Sequence, residues 1–89
     1  MEKLFVLTRG EYYDGTEKSG FSATERAFRS KEDMIKYVMD YVHNHIDALS
    51  KSGYVRIPTD DEFVMGEKIR YARDNMGYVR YFKYDTCEL

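Results

Sequence analysis

The chain is short of several things, and each shortage removes a class of protein. It holds a single cysteine, Cys87, in 89 residues, so an intrachain disulfide is excluded and a reducing compartment is expected. It has one proline, Pro58, and six glycines, too few for a collagen-like or low-complexity chain. No apolar run is longer than the four residues Leu4 to Leu7, too short for a signal peptide or a membrane-spanning helix. A cytoplasmic protein without a membrane partner is the expectation. Neither charge sign dominates, with 14 Lys and Arg against 16 Asp and Glu, so the net charge of −2 exerts no global pull on nucleic acid or membranes. Repeats and long linkers are also missing, which leaves one domain over residues 1–89.

What is present belongs to a folded chain. Hydrophobic residues make up 43% and charged residues 34%, a balance that can bury a modest core. Nine of the aromatic residues are tyrosines, which suit half-buried positions and contact surfaces because an apolar ring carries a polar tip.

The plainest element is a helix over residues 30–52. Ser30 and Asp33 form an S-x-x-D start, and Glu32 and Asp33 place negative charge at the positive end of the helix dipole. Ile35, Val38, Met39, Val42, Ile46 and Leu49 fall at i, i+3, i+4, i+7, i+11 and i+14, which puts them on one stripe to be buried. Lys51 closes the last turn, and Gly53 is expected to adopt the left-handed cap. Such a helix is about 30 Å long.

Before it, residues 3–9 read as an inner strand, because Leu4-Phe5-Val6-Leu7 is apolar on both parities. Asp14-Gly15 signals a turn, Thr16, Glu17 and Lys18 a loop, and Ser19-Gly20 a second break. Residues 21–29 form a weaker strand anchored by Phe21, Ala27 and Phe28. After the helix, Tyr54 to Ile57 is a short extended segment stopped by Pro58. Thr59 to Glu62 is either a loop or a capping box opening a second helix through Asn75. The preferred reading is a hairpin of residues 67–73 and 78–85 around Asp74-Asn75-Met76-Gly77, with Arg73 facing Tyr78. In that register Tyr71, Ile69, Phe82 and Tyr84 share the core face. Ala72, Arg70, Lys68, Val79, Tyr81 and Lys83 share a basic outer face. The predicted fold is α+β: an antiparallel sheet of about four strands with the long helix packed on one face.

Catalytic and metal patterns are poor. His43-Asn44-His45 has the letters of a nuclease motif, but residues two apart on a helix point about 200° from one another and cannot share a metal. Asp60-Asp61-Glu62 lacks the spaced partners a hard cation needs, so capping is the better account. Cys87 has no second Cys or His near it. Phosphate-loop, serine-elbow and C-x-x-C patterns are missing. The expectation is therefore a protein that is not an enzyme and carries no cofactor.

Charge is unevenly distributed. The helix and the loop after it are acidic, through Glu32, Asp33, Asp40, Asp47, Asp60, Asp61 and Glu62. The later part is basic, through Arg56, Lys68, Arg70, Arg73, Arg80 and Lys83, interleaved with Tyr71, Tyr78, Tyr81, Phe82 and Tyr84. Cations beside aromatic rings can grip a single-stranded backbone and stack its bases, or can be the solvated side of an ordinary sheet. Tyr and Arg also dominate protein hot spots, so the expected contact residues are Tyr12, Tyr13, Lys68, Arg70, Tyr78, Arg80, Tyr81 and Lys83.

Residues Phe5 to Tyr12, read F-V-L-T-R-G-E-Y, followed by Phe28-Arg29-Ser30-Lys31-Glu32-Asp33, resemble a pattern in small bacteriophage and prophage proteins. There a strand ending near T-R-G-E-Y leads to a second strand and an F-x-S-K-E-D/E helix start. The likeness covers roughly the first 40 residues and departs at Tyr13-Asp14-Gly15, where those proteins place Ser-Asp after the tyrosine. It implies a phage or mobile-element origin. Proteins of that kind often block a host factor, as anti-CRISPR and other counter-defence proteins do, and no site residue carries over. The first functional expectation is thus a small protein that modulates a host protein or nucleoprotein by contact; the alternative is a nucleic-acid-binding module built on the basic hairpin. One helix covers only one sheet face, so the apolar outer parity of residues 4–7 needs a cover. The candidates are the segment from Tyr54 to Glu62, a second copy of the chain, or the target.

Overall fold

Strands β1 (Lys3–Tyr13) and β2 (Thr16–Phe28) form a long antiparallel hairpin that leads into helix α1 (Lys31–Ser52). The chain continues through β3 (Gly53–Val55), a single 3₁₀ turn at Asp60–Glu62, β4 (Ile69–Asp74) and β5 (Tyr78–Glu88). The computed structural model describes residues 2–89, with the side chains of residues 17–19 outside the described set. The five strands make one antiparallel sheet in the order β2-β1-β5-β4-β3, and α1 packs across one face of it.

The fold class is the one the sequence predicts, with an added edge strand. Only β3, three residues long, exceeds the expected four. The first hairpin is longer than expected because its turn is tighter. Gly15 takes φ 103°, a conformation that L side chains rarely adopt, and Tyr13 pairs with Thr16 directly across Asp14-Gly15. The loop expected at residues 16–18 and the break at Ser19-Gly20 are therefore strand, while the predicted exposure of the Glu17 and Lys18 side chains lies outside the described residues. Of the three anchors expected in β2, Phe28 is buried, whereas Phe21 and Ala27 are exposed.

Ser30 caps α1 as expected: its backbone is extended and its hydroxyl accepts from the Asp33 amide at 3.1 Å. The buried stripe is rotated from the predicted one. Met34, Val38, Val42 and Leu49 are buried, while Ile35, Met39 and Ile46 are half-buried. The rotation comes from Tyr37 and Tyr41, whose rings also pack on the sheet and widen the apolar face toward their side. Tyr41 meets Phe82 edge-on at 5.3 Å, and Tyr71 stacks on Phe82 at 5.1 Å. Leu7, Ile69, Tyr84 and Phe63 complete this core.

Gly53 ends the helix, but not through a left-handed cap. Its φ of 166° is extended, and it pairs with Asp74 as the first residue of β3. Glycine is required by proximity, since a Cβ there would collide with the Arg73 carbonyl. The Thr59 amide donates to Glu62 at 2.7 Å, closing a capping box, yet the helix it opens lasts one turn. Phe63 then dives into the core, where its carbonyl accepts from the Tyr84 hydroxyl at 3.1 Å. The hairpin alternative thus prevails over a second helix.

In the β4–β5 hairpin, Ile69 faces Phe82 as predicted, but an irregularity at Tyr71 shifts the rest, so that Ala72 faces Arg80 and Arg73 faces Val79. Ala72, expected on the outer face, consequently joins the main core. The turn keeps the predicted residues, with Gly77 at φ 96° and its amide bonded to the Asp74 carbonyl at 3.1 Å.

Strand β1 is an inner strand, yet of its apolar run only Leu7 is fully buried. The segment after α1 does not cover it. That segment runs along β4, with the Arg56 amide on the Tyr71 carbonyl at 2.8 Å, two strands away from β1.

Candidate binding face

Strand alternation sends Phe5, Leu7 and Arg9 toward α1 and Leu4, Val6, Thr8, Gly10 and Tyr12 to the opposite, helix-free face. Through the β1–β5 register the same face receives Val79, Tyr81, Lys83 and Asp85. From β4 it receives Arg70 opposite Tyr81 and Arg73 opposite Val79, and Tyr54 of β3 lies beside Arg73.

A small second core sits there, made of Tyr12, Val79 and Tyr81. Gly10 makes room for it. A Cβ at Gly10 would lie 2.7 Å from the Tyr81 hydroxyl, so the Tyr81 ring is able to lie across β1 only because that position has no side chain. Tyr12 and Tyr81 are only 6% and 7% exposed, because cations close over them. Lys68 Nζ sits 4.8 Å from the Tyr12 ring centre and 5.3 Å from that of Tyr81. Arg70 Nε donates to the Tyr12 hydroxyl at 2.6 Å.

Beside this cluster is a groove of about 410 Å³ lined by Tyr12, Tyr54, Arg56, Arg70, Arg73 and Val79 among others. Its arginines are held in place. Arg56 donates to the Arg70 carbonyl and to Glu62, both at 2.7 Å, and Arg73 meets Asp14 at 2.8 Å. The Arg56 guanidinium draws the Glu62 carboxyl down to about 2, helped by the Thr59 amide. A second hollow, of about 430 Å³, adjoins the first through Arg70 and is lined by Gly66, Glu67, Lys68 and Lys83.

Five of the eight expected contact residues therefore meet on this face: Tyr12, Lys68, Arg70, Tyr81 and Lys83. Tyr13 and Tyr78 do not join them. They oppose each other at the end of the β1–β5 pair, ring centres 5.4 Å apart, both exposed. Arg80 lies on the helix side, paired with Glu11 at 3.7 Å, and is separated from its neighbour Tyr81 by the sheet itself. Tyr54, Arg56 and Arg73 were missed as site residues. Arg56 and Arg73 stand in the basic half of the sequence, but the signal that joins them is the β3–β4 pairing, which hydrophobic pattern does not encode.

The helix side carries a separate polar network. Glu25 accepts from the Tyr37 hydroxyl at 2.6 Å and from Arg9 Nε at 3.0 Å. The tyrosine bond, with the Arg9 bond added, holds the Glu25 carboxyl below its ordinary range, and the same bond pushes the Tyr37 phenol up. His43 and His45 are exposed, and His45 stacks on Tyr41 at 4.2 Å with Nδ1 on the Tyr41 carbonyl at 2.8 Å. Cys87 is exposed as well. Among the described residues no three His, Cys, Asp or Glu side chains converge as metal ligands, and no helix is long and apolar enough to cross a membrane.

Compared with protein-family models, with curated proteins and with solved structures, the chain finds no match.

Proposed function

We propose that this chain is a binding protein that acts by surface contact, through the helix-free face of its sheet, on a partner that presents negative charge. One observation carries the reading: the face that α1 leaves open gathers Lys68, Arg70, Arg73 and Lys83 around tyrosines from three strands. Tyr and Arg supply contact area at small conformational cost, and a groove between them gives a partner something to fill. The outer surface of α1 is mixed by contrast, with Glu32, Asp33, Asp40 and Asp47 exposed alongside Lys31, Lys36 and Lys51. The helix-free face is therefore the side that draws an anionic partner and orients the encounter. The resemblance of the first residues to phage and prophage proteins directs the search to a protein or nucleoprotein of a bacterial host, which contact would modulate without turnover.

The test compares charge reversals on the two sides. Immobilised protein is exposed to bacterial extract, the captured species is identified by mass spectrometry, and its stoichiometry is measured after purification. Lys68→Glu with Arg70→Glu should abolish the complex. Lys36→Glu with Lys51→Glu, on exposed positions of α1, should leave it intact. A stoichiometric complex lost only with the α1 variant contradicts the reading, as does a purified substrate consumed catalytically by the protein.

A further inference from the structure

The contact face has two adjoining hollows of unlike chemistry, and from them we infer that the anionic partner is a single-stranded nucleic acid. One base sits in the groove between Tyr12 and Tyr54, and the neighbouring phosphates lie on Arg70, Lys68 and Lys83. The inference rests on the contact reading of the open face and names its partner class.

The first hollow, about 410 Å³, has Tyr12, Tyr54 and Val79 among its lining residues, with Asp14 at Arg73. That size is within the range of small-molecule pockets, and its aromatic and apolar walls suit a flat ring. Tyr54 is 66% exposed, so its ring face is open to stacking. Arg56 and Arg73 sit on the same lining, paired with Glu62 and Asp14, and a guanidinium is itself a stacking surface. The second hollow, about 430 Å³, is polar and bordered by three cations, Lys68, Arg70 and Lys83, and one carboxylate, Glu67. Arg70 belongs to both. A nucleotide has the same two parts, a base with two apolar faces and a phosphate one short step away. Alternation of aromatic platforms with cations is how sequence-tolerant single-strand binders work. An acidic peptide offers carboxylates on flexible stems, and those side chains themselves bring no flat ring to the first hollow. A duplex keeps its bases stacked and has none to offer it.

The experiment uses the intact chain and a fluorescein-labelled oligothymidylate of about ten nucleotides, read by anisotropy. Binding should be clear at about 50 mM salt and fall steeply by about 200 mM. Tyr54→Ala, at an exposed position, should weaken binding about tenfold through lost stacking. Lys83→Ala should weaken it and lower the slope of log affinity against log salt by about one. Lys36→Ala, on α1, should change neither quantity. The inference is overturned by absence of binding at the lower salt, by a duplex bound as tightly, or by binding indifferent to both Tyr54→Ala and Lys83→Ala. It is also overturned if polyglutamate displaces the oligonucleotide at equal charge concentration. That last result would leave the contact reading standing with an acidic protein as partner. Loss of the charge-reversal pattern in the capture experiment would remove the contact reading itself.

Discussion

Arg70 Nε donates a 2.6 Å hydrogen bond to the hydroxyl of Tyr12, reaching over β5, which lies between their two strands. The bond ties the middle of the contact face together and fixes the wall shared by its two hollows. Tyr12→Phe keeps the ring and removes the bond, so it should cost about 1 kcal/mol in a denaturant titration. Tyr12→Ala also deletes a buried ring and should cost about 3 kcal/mol or more. Equal costs for the two variants would show that the ring, rather than its hydroxyl, makes no contribution here.

The rotated stripe of α1 gives a second test. Met34 is fully buried and Ile35 only half, although periodicity alone favours Ile35. Met34→Ala should cost about 2–5 kcal/mol, and Ile35→Ala clearly less. Ser30→Ala should remove the cap at a cost of about 1 kcal/mol. Val42→Asp should leave little folded protein, because it buries a charge with no partner.

Much of this fold was legible because its signals are local. The Ser30 cap, the Asp14-Gly15 and Asp74 to Gly77 turns, and the core parity of Ile69, Phe82 and Tyr84 each depend on a few neighbouring residues. What escaped depends on contacts distant in sequence. The irregularity at Tyr71 moved Ala72 into the core and reset Arg73, and nothing in the alternation of β4 announces it. Arg80 is a different case: local strand alternation already sets it on the opposite face from Tyr81, and only its residue type groups it with Tyr81. Gly53 carried the composition of a helix cap and serves as a close approach to β4 instead. The site was partly visible as a basic, tyrosine-bearing stretch, but Tyr12 and Tyr54 reach it only through the strand order.

Acid should loosen the loop that holds Arg56. The Glu62 carboxyl is shifted from 4.5 to about 2 by the Arg56 guanidinium, so its stabilising contribution is present above 4.5 and lost as pH falls toward 2. Glu62→Gln should therefore flatten the acid limb of the stability profile across that window, measured by urea titrations at successive pH values. An unchanged acid limb would show that the pair contributes nothing.

The alkaline limb has a different origin. Burial against α1 pushes the Tyr71 phenol above its ordinary value of 10, so the folded state holds it neutral. Its contribution is complete below pH 10 and lost as pH rises beyond it. Tyr71→Phe should make unfolding less sensitive to alkali, seen as a smaller fall in melting temperature than the parent shows above that pH.

The most direct measurement of the central claim is a map of backbone amide shifts by nuclear magnetic resonance while the oligothymidylate is added to labelled protein. The account predicts shifts concentrated at Tyr12, Tyr54, Arg70, Arg73, Tyr81 and Lys83, with the exposed residues of α1 unmoved. Shifts centred on Glu32, Lys36, Asp40 and His43, or spread evenly over the chain, would contradict it.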